Sequence, residues 1–207
     1  QHAEYTKTLE DCGLDVLVLP PDENFPDSTF VEDAALLTPQ CAIITNPGAP
    51  SRKGETAEIK HVLGNFFDNI EEVSDPGSVE AGDIMMVGSH FYIGLSDRTN
   101  QNGAEQVIGF LDKYGLTGSV IELEEVLHLK TGTAYLEHNN LVVCGEFVRT
   151  EEFQKYDLLV IPEDESYAAN CIWVNEQVIL PKGYLKTRAI IQSFGYEIKE
   201  IDVSEFQ

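Results

Sequence analysis

Four short polar motifs stand beside apolar runs of the chain, and their side chains could together do chemistry. In chain order they are Phe30-Val31-Glu32-Asp33, Val79-Glu80-Ala81-Gly82-Asp83, Ser96-Asp97-Arg98-Thr99-Asn100 and His128-Leu129-Lys130-Thr131. Each motif lies directly before or after a run of residues that is typical of a β-strand. Carboxylates, an arginine and a histidine in these places indicate a polar pocket at one end of a β-rich core.

The motifs, in this order, resemble those of the guanidine-modifying hydrolases of the pentein superfamily, and most closely the dimethylarginine dimethylaminohydrolase family. The likeness covers essentially the whole chain. That family attacks the guanidinium carbon of its substrate with a cysteine in a C-terminal Gly-Gly-x-x-Cys segment. Cys12, Cys41, Cys144 and Cys171 all lie outside any such segment. We therefore expect residues 1–207 to be a single catalytic-type domain, truncated at both ends, whose nucleophile lies outside these residues.

The resemblance implies that His128 and Glu80 are catalytic. His128 stands where the family has its general acid/base histidine, and a side-chain pKa of about 6.5 suits proton transfer at neutral pH. Glu80 matches the carboxylate that orients this histidine and stabilises its charged form, as the third member of a catalytic triad does. Gly82 would let the backbone approach a ligand closely.

Five further residues match positions at which the family binds its substrate. Asp33 matches the carboxylate that holds the guanidinium nitrogens by charge-assisted hydrogen bonds, and Glu32 matches a second acidic pocket residue. Asp27 matches the ligand of the substrate α-amino group. Arg52 and Arg98 match the arginines that bind the α-carboxylate, for which a planar guanidinium fork is suited. Together they describe a pocket for a small-molecule partner, a free guanidino amino acid.

Lys130 distinguishes this chain from the arginine deiminases, which have an aspartate at the matching position. A charged lysine cannot supply that second carboxylate, which points away from unmodified arginine. The leading hypothesis is a hydrolase that converts Nω-methylated arginine to citrulline and methylamine or dimethylamine. The alternatives are a deiminase-type hydrolase of arginine or citrulline, and a catalytically inactive relative that binds an amino acid.

Composition argues against several kinds of partner. With 36 acidic and 13 basic residues the net charge is −23, whereas nucleic acids and anionic membranes attract a positive surface. No apolar run approaches the ~20 residues that span a bilayer, and no signal-peptide pattern opens the sequence. The four cysteines lack a CxxC pair. Cys41, Cys144 and Cys171 lie in apolar, strand-like runs and are expected to be buried apolar residues in a reducing compartment. We expect a cytoplasmic enzyme without metal or cofactor, and leave a homodimer open.

The elements that must position these residues recur along the chain as a strand–turn–strand–helix–strand unit. Turn residues between branched apolar runs are the expected signal of each hairpin. The four units open with the predicted strands 30–37, 83–87, 133–137 and 170–174, and a helix at 3–11 and a strand at 14–19 precede them. The resemblance implies an α/β fold, the five-bladed α/β propeller of ββαβ units (the pentein fold), with four units complete and the fifth partial. Closing such a ring removes exposed sheet edges.

Overall fold

Four three-stranded sheets form the framework of the protein in a computed structural model that describes residues 1–206. In each sheet the first two strands pair antiparallel and the third pairs parallel with the second. The strands are β1 (Ala35–Leu37), β2 (Ala42–Ile44), β3 (Ile70–Glu72), β4 (Ile84–Val87), β5 (His90–Leu95), β6 (Thr117–Glu122), β7 (Thr133–Tyr135), β8 (Asn140–Val143), β9 (Asp157–Val160), β10 (Ile172–Val174), β11 (Gln177–Pro181) and β12 (Glu197–Ile201). The α-helices are α1 (His2–Asp11), α2 (Thr56–Leu63), α3 (Gln101–Lys113), α4 (Leu129–Gly132) and α5 (Leu185–Ser193).

The order of elements is the same in every sheet. A hairpin comes first, and a helical connection then returns the chain to lay a third strand beside the second, because parallel neighbours need such a crossover. Helix α2 makes this connection in the first sheet, α3 in the second and α5 in the fourth. In the third sheet two 3₁₀ helices, Gly145–Arg149 and Glu151–Phe153, take its place. The predicted ββαβ repeat is therefore confirmed for three of the sheets, and the third sheet keeps the strand order with a 3₁₀ connection in place of the α-helix.

The chain divides into two compact units, which are Pro20–Leu129 and the combination of Gln1–Leu19 with Lys130–Gln207. The unit Pro20–Leu129 contains strands β1 to β6 and a core of buried apolar side chains that includes Ile43, Phe91 and Leu111. The other unit contains β7 to β12 and has its own buried clusters. All seven predicted site residues belong to the unit Pro20–Leu129.

Helix α3 shows how the sequence sets an element that borders the site. Ala104, Val107 and Leu111 recur at helical spacing and form its buried face, as expected of an amphipathic helix. Asn100 caps the helix, because its side-chain oxygen accepts a hydrogen bond from the Gly103 N–H at 2.8 Å. At 13 residues α3 is the longest helix, and none of the described helices is long and apolar enough to cross a membrane.

All four cysteines are free and buried. For Cys41, Cys144 and Cys171 this confirms the prediction made from their apolar sequence surroundings. Burial raises the pKa of the Cys41 and Cys144 thiols above the usual value, and that of Cys171 to about 12. A thiol attacks as its thiolate, so a raised pKa makes these side chains poor nucleophiles at neutral pH.

The strand predicted at residues 14–19 is wrong. These residues have no regular secondary structure, and Leu17 and Val18 are exposed. A strand needs a neighbour to bond its backbone groups, and none of the strands within residues 1–206 pairs with this segment.

The strand predicted from residue 30 begins only at Ala35. The preceding residues form two 3₁₀ helices, Pro26–Thr29 and Val31–Ala34. The 3₁₀ helix Val31–Ala34 buries the Asp33 carboxylate and leaves the Val31 side chain exposed. Hydrophobicity alone would favour the reverse. Burial of this polar group overrides the β-propensity of the segment.

Candidate active site

Asp33 is the buried carboxylate of the first motif. The 3₁₀ helix Val31–Ala34 places it so that its Oδ1 accepts a hydrogen bond from the Gly82 N–H at 2.9 Å. Its backbone carbonyl accepts from the Thr45 hydroxyl at 2.7 Å, just past the end of β2. A Cβ at residue 82 would lie 2.6 Å from Asp33 Oδ1, so this close approach requires glycine. Gly82 thus allows the first and second motifs to meet.

Glu80 lies at the centre of the site and is only 1% exposed. Its Oε1 accepts a hydrogen bond from the Ala49 N–H at 3.1 Å and lies 3.5 Å from Arg98 Nη1. Its Oε2 lies 3.5 Å from His128 Nε2 and 3.9 Å from Arg52 Nη1. One buried carboxylate therefore contacts both predicted arginines and the predicted acid/base histidine.

His128 lies between two carboxylates. Besides Glu80 on Nε2, Asp83 Oδ1 lies 3.2 Å from its buried Nδ1, as an ion-pair contact and not a well-aligned hydrogen bond. Burial acts to lower the pKa of His128, but Asp83 first, then Asp33 and Glu80, raise it above the usual histidine value. The site therefore favours the charged imidazolium, which is the form that donates a proton.

Asp83, for which the sequence predicted no role, is fully buried. Its Oδ1 also accepts a hydrogen bond from the Leu129 N–H at 3.0 Å. Its Oδ2 accepts from the hydroxyls of Ser96 at 2.7 Å and Thr99 at 2.6 Å. The available signal was a carboxylate next to Gly82 and directly before the apolar run of β4.

Arg52 is buried, and the protein itself binds its guanidinium group. Nη1 donates to Asp33 Oδ2 at 2.6 Å, while Nε and Nη2 donate to Glu55 Oε2 at 2.9 and 2.8 Å. Nη2 also donates to the carbonyls of Asp27 and Phe30. Burial acts to lower the pKa of Arg52, but the bonds to Glu55 and Asp33 raise it above the usual arginine value. Glu55 was not predicted to belong to the site, although its spacing of three from Arg52 is that of pairing neighbours in a helix.

The other predicted substrate-binding residues are more accessible. The Arg98 side chain is 32% exposed and contacts Glu80. Asp27 and Glu32 are exposed, and the backbone carbonyl of Asp27 accepts a hydrogen bond from Arg52 Nη2. The substrate-binding roles of all three residues stay predictions.

Asp33, Glu80 and His128 come from three different motifs, yet their polar atoms lie within 4.8 Å of one another. Such a group of side chains has the composition of a metal site. The Arg52 guanidinium, however, lies 2.6 Å from Asp33 Oδ2 and 3.9 Å from Glu80 Oε2, where it would repel a metal cation. The arrangement suits proton transfer beside a bound cationic group better than it suits a metal ion.

Comparison with known proteins finds similarity to dimethylarginine hydrolases. Residues 1–161 match the family model described as N,N dimethylarginine dimethylhydrolase, eukaryotic. The chain is 59% identical over 208 residues to an N(G),N(G)-dimethylarginine dimethylaminohydrolase of Pseudomonas aeruginosa, covering 100% of this chain and 82% of that relative.

Two solved structures share the fold over nearly the whole chain. One is dimethylarginine dimethylaminohydrolase from Pseudomonas aeruginosa, a cysteine-to-serine mutant complexed with citrulline, with 59% identity and a TM-score of 0.98 over 99% of this chain and 81% of its own. The other is a dimethylarginine dimethylaminohydrolase, a histidine-to-glycine variant as its adduct with S-methyl-L-thiocitrulline, with 58% identity and the same TM-score over 99% and 81%. These likenesses confirm the predicted α/β fold class.

Proposed function

The chain belongs to the dimethylarginine dimethylaminohydrolase family, and on this premise we propose that the protein hydrolyses Nω-methylated arginine to citrulline and methylamine or dimethylamine. It is a C–N hydrolase of the dimethylargininase type. The observation that carries the proposal is the meeting of Asp33, Glu80 and His128 within 4.8 Å. It supplies a guanidinium-binding carboxylate, an orienting carboxylate and an acid/base in one place.

The proposed reaction begins when a cysteine thiolate attacks the guanidinium carbon of the substrate. Cys12, Cys41, Cys144 and Cys171 are unsuited to this step because all four are buried, and burial raises the pKa of the last three. We assign the attack to a cysteine other than these four. Loss of the methylated amine from the tetrahedral adduct leaves an S-alkylthiouronium intermediate.

His128 is proposed to transfer the protons. Its raised pKa keeps the imidazolium available at neutral pH, so Nε2 can protonate the leaving amine. The neutral imidazole then takes a proton from the water that attacks the thiouronium carbon, and collapse of that adduct releases citrulline and restores the thiol. Glu80, 3.5 Å from Nε2, orients the ring and stabilises its charged form.

Substrate binding is proposed to use the remaining predicted residues. Asp33 and Glu32 bind the guanidinium, Arg52 and Arg98 the α-carboxylate, and Asp27 the α-amino group. Because Arg52 already pairs with Asp33 at 2.6 Å, this carboxylate serves two guanidinium groups when substrate is bound, or exchanges one for the other. Planar forks on two sides of one carboxylate are compatible with its four lone-pair sites.

The small-molecule partner of the proposal is a guanidino amino acid. Complexes of the relatives with citrulline and with S-methyl-L-thiocitrulline support this class of ligand. A homodimer, a cytoplasmic location and the lack of a nucleic-acid partner stay predictions.

The test uses the protein as its gene encodes it. Citrulline release is measured in parallel from asymmetric dimethylarginine, monomethylarginine and arginine, with His128→Gln as the inactive comparison. We expect the methylated substrates to have the higher kcat/KM. Equal or better activity on arginine would favour the deiminase alternative, and binding of methylarginine in calorimetry without citrulline release would favour the inactive relative.

A further inference from the structure

Asp83 is a buried carboxylate that none of the proposed steps uses. Its two oxygens face different parts of the site. Oδ1 contacts the segment of His128 and Leu129, while Oδ2 contacts the turn of Ser96 and Thr99. The side chain thus joins the second, third and fourth sequence motifs through a single group.

The Oδ1 side sets the position of the histidine. The Leu129 N–H donates to Oδ1 at 3.0 Å, which holds the backbone directly after His128. The same oxygen lies 3.2 Å from His128 Nδ1. Asp83 Oδ1 lies closer to Nδ1 than Glu80 Oε2 lies to Nε2, which is 3.5 Å away. This difference favours the proton on Nδ1 when the ring is neutral and leaves Nε2 as the nitrogen that exchanges a proton with the reacting groups.

The Oδ2 side sets the turn that carries Arg98. The Ser96 hydroxyl donates to Oδ2 at 2.7 Å and accepts from the backbone N–H groups of Arg98 at 3.0 Å and Thr99 at 3.1 Å. The Thr99 hydroxyl donates to Oδ2 at 2.6 Å and accepts from the Glu80 N–H at 3.2 Å. The turn and the backbone of Glu80 are therefore fixed by the same carboxylate.

We propose that Asp83 is a positioning residue, which holds His128 with Nδ1–H towards Asp83 and keeps the Arg98 turn in register with that histidine. The assignment deepens the proposed function and rests on it only for the roles of Nε2 and Arg98. A neutral side chain could still accept from the Leu129 N–H, but it could not balance the imidazolium.

Other charged groups also act on His128, so the contribution of Asp83 has to be isolated. The carboxylates that face the ring are Asp83, Glu80 and Asp33. Glu80 itself contacts the guanidinium groups of Arg98 and Arg52, which offset part of its charge. Asp83 contacts neither guanidinium in the described residues, and it is the closest carboxylate to the ring.

The first variant is Asp83→Asn, which removes the charge and keeps the shape. Because the Leu129 N–H is only a donor, the amide oxygen stays on that side and the NH₂ group faces two hydroxyls that can accept. NMR titration of His128 should show its pKa lowered by about one unit or more. With methylarginine as substrate, kcat should fall tenfold or more, and the alkaline limb of its pH profile should move to lower pH.

The matched control is Ser96→Ala. It removes one donor to Oδ2 but leaves the negative charge beside His128. We expect the pKa of His128 to stay close to that of the unmodified protein, while KM rises several-fold because the Arg98 turn loosens. If the His128 pKa falls by a similar amount in Asp83→Asn and Ser96→Ala, the cause is general disruption of the site, and the positioning role is overturned.

The unmodified protein supplies a test that remains if Asp83→Asn does not fold. In protein labelled with ¹⁵N-histidine, the neutral ring of His128 should carry its proton on Nδ1. A proton on Nε2 instead would overturn the inference. Since neither NMR measurement needs turnover, an inactive protein with the expected His128 pKa and tautomer would count against the proposed function and not against Asp83.

Discussion

Charges of opposite sign alternate through the site, and each buried charge is balanced by its neighbours. Arg52 lies between Asp33 and Glu55, while Glu80 lies between Arg98 and His128. Removing one member of a buried pair leaves the other in a poorly solvating environment, which costs more than the pair itself contributes. Substitutions in this cluster should therefore change stability as well as catalysis.

Arg52 gives the sharpest test of this balance. Arg52→Gln leaves the buried carboxylates of Asp33 and Glu55 without their cation, so we expect the free energy of unfolding to fall by about 3–5 kcal/mol. Its neighbour provides the control, because Lys53 pairs with Asp75 at the surface, with both side chains substantially exposed. Lys53→Gln should cost less than about 1 kcal/mol. Equal costs for the two variants in urea denaturation would contradict the buried cluster.

His128 should make stability depend on pH in a defined direction. Its folded-state pKa is raised, so its contribution is complete below the unfolded pKa of about 6.5 and is lost as pH rises through the folded pKa. The difference in unfolding free energy between the unmodified protein and His128→Gln should therefore shrink between pH 6 and pH 9. The same series on His61→Gln, at an exposed histidine, corrects for general pH effects. A difference that grows with pH would contradict the carboxylate contacts of His128.

At the scale of elements, the N-terminus of α3 connects the fold to the site. Asn100 Oδ1 accepts from the N–H groups of Gly103 at 2.8 Å and Ser78 at 3.1 Å, and its Nδ2 donates to the Pro76 carbonyl at 2.9 Å. One side chain therefore caps the helix and ties it to the segment before Glu80.

Asn100→Ala should lower the free energy of unfolding by about 1–2 kcal/mol, the usual range for loss of a cap. It should also raise KM, because the residue ends the turn that carries Arg98. Gln101→Ala, at an exposed position in the first turn of α3, should change stability by less than about 0.5 kcal/mol. Thermal melts and steady-state kinetics on both variants measure these effects. If Asn100→Ala and Gln101→Ala lose the same stability and raise KM equally, the cap has no special role.

The sequence was sufficient for elements whose pattern agrees with their surroundings. The strand predicted at 83–87 is β4 (Ile84–Val87), and the helix predicted at 3–11 is α1 (His2–Asp11), so both were predicted to within one residue at each end. Strands were also predicted over residues 14–19 and 30–34, but neither segment forms one. Their outcome depends on tertiary partners and on burial of a polar side chain, which local pattern does not contain.

The same limit applies to the site. The resemblance located His128, Glu80 and Asp33, because each belongs to a motif with a distinctive order. Asp83 and Glu55 were missed because a lone acid in an acidic chain looks like a surface residue until its contacts are known. Their partners are the Leu129 N–H, two hydroxyls and a buried guanidinium, and apart from Arg52 these are brought near by the fold and not by sequence proximity.

At the scale of the whole molecule the dominant property is charge. A net charge of −23 over 207 residues makes the folded chain repel itself, and it also attracts a cationic ligand from solution. Both effects act over distances that salt screens, since the Debye length falls from about 10 Å at 0.1 M to about 3 Å at 1 M. Added salt should therefore act on folding and on substrate binding with opposite signs.

We expect potassium chloride, raised from 20 to 500 mM, to increase the Tm of the ligand-free protein and to raise the KM for dimethylarginine several-fold. Citrulline is the matched ligand, because it shares the amino-acid end of the substrate but has no guanidinium charge. Its inhibition constant should change much less over the same range. Chloride is used in place of sulfate, which strengthens apolar burial by exclusion from protein surfaces and would raise the Tm for another reason. If the KM for dimethylarginine and the inhibition constant of citrulline change by the same factor with salt, the acidic surface serves solubility and does not attract the substrate.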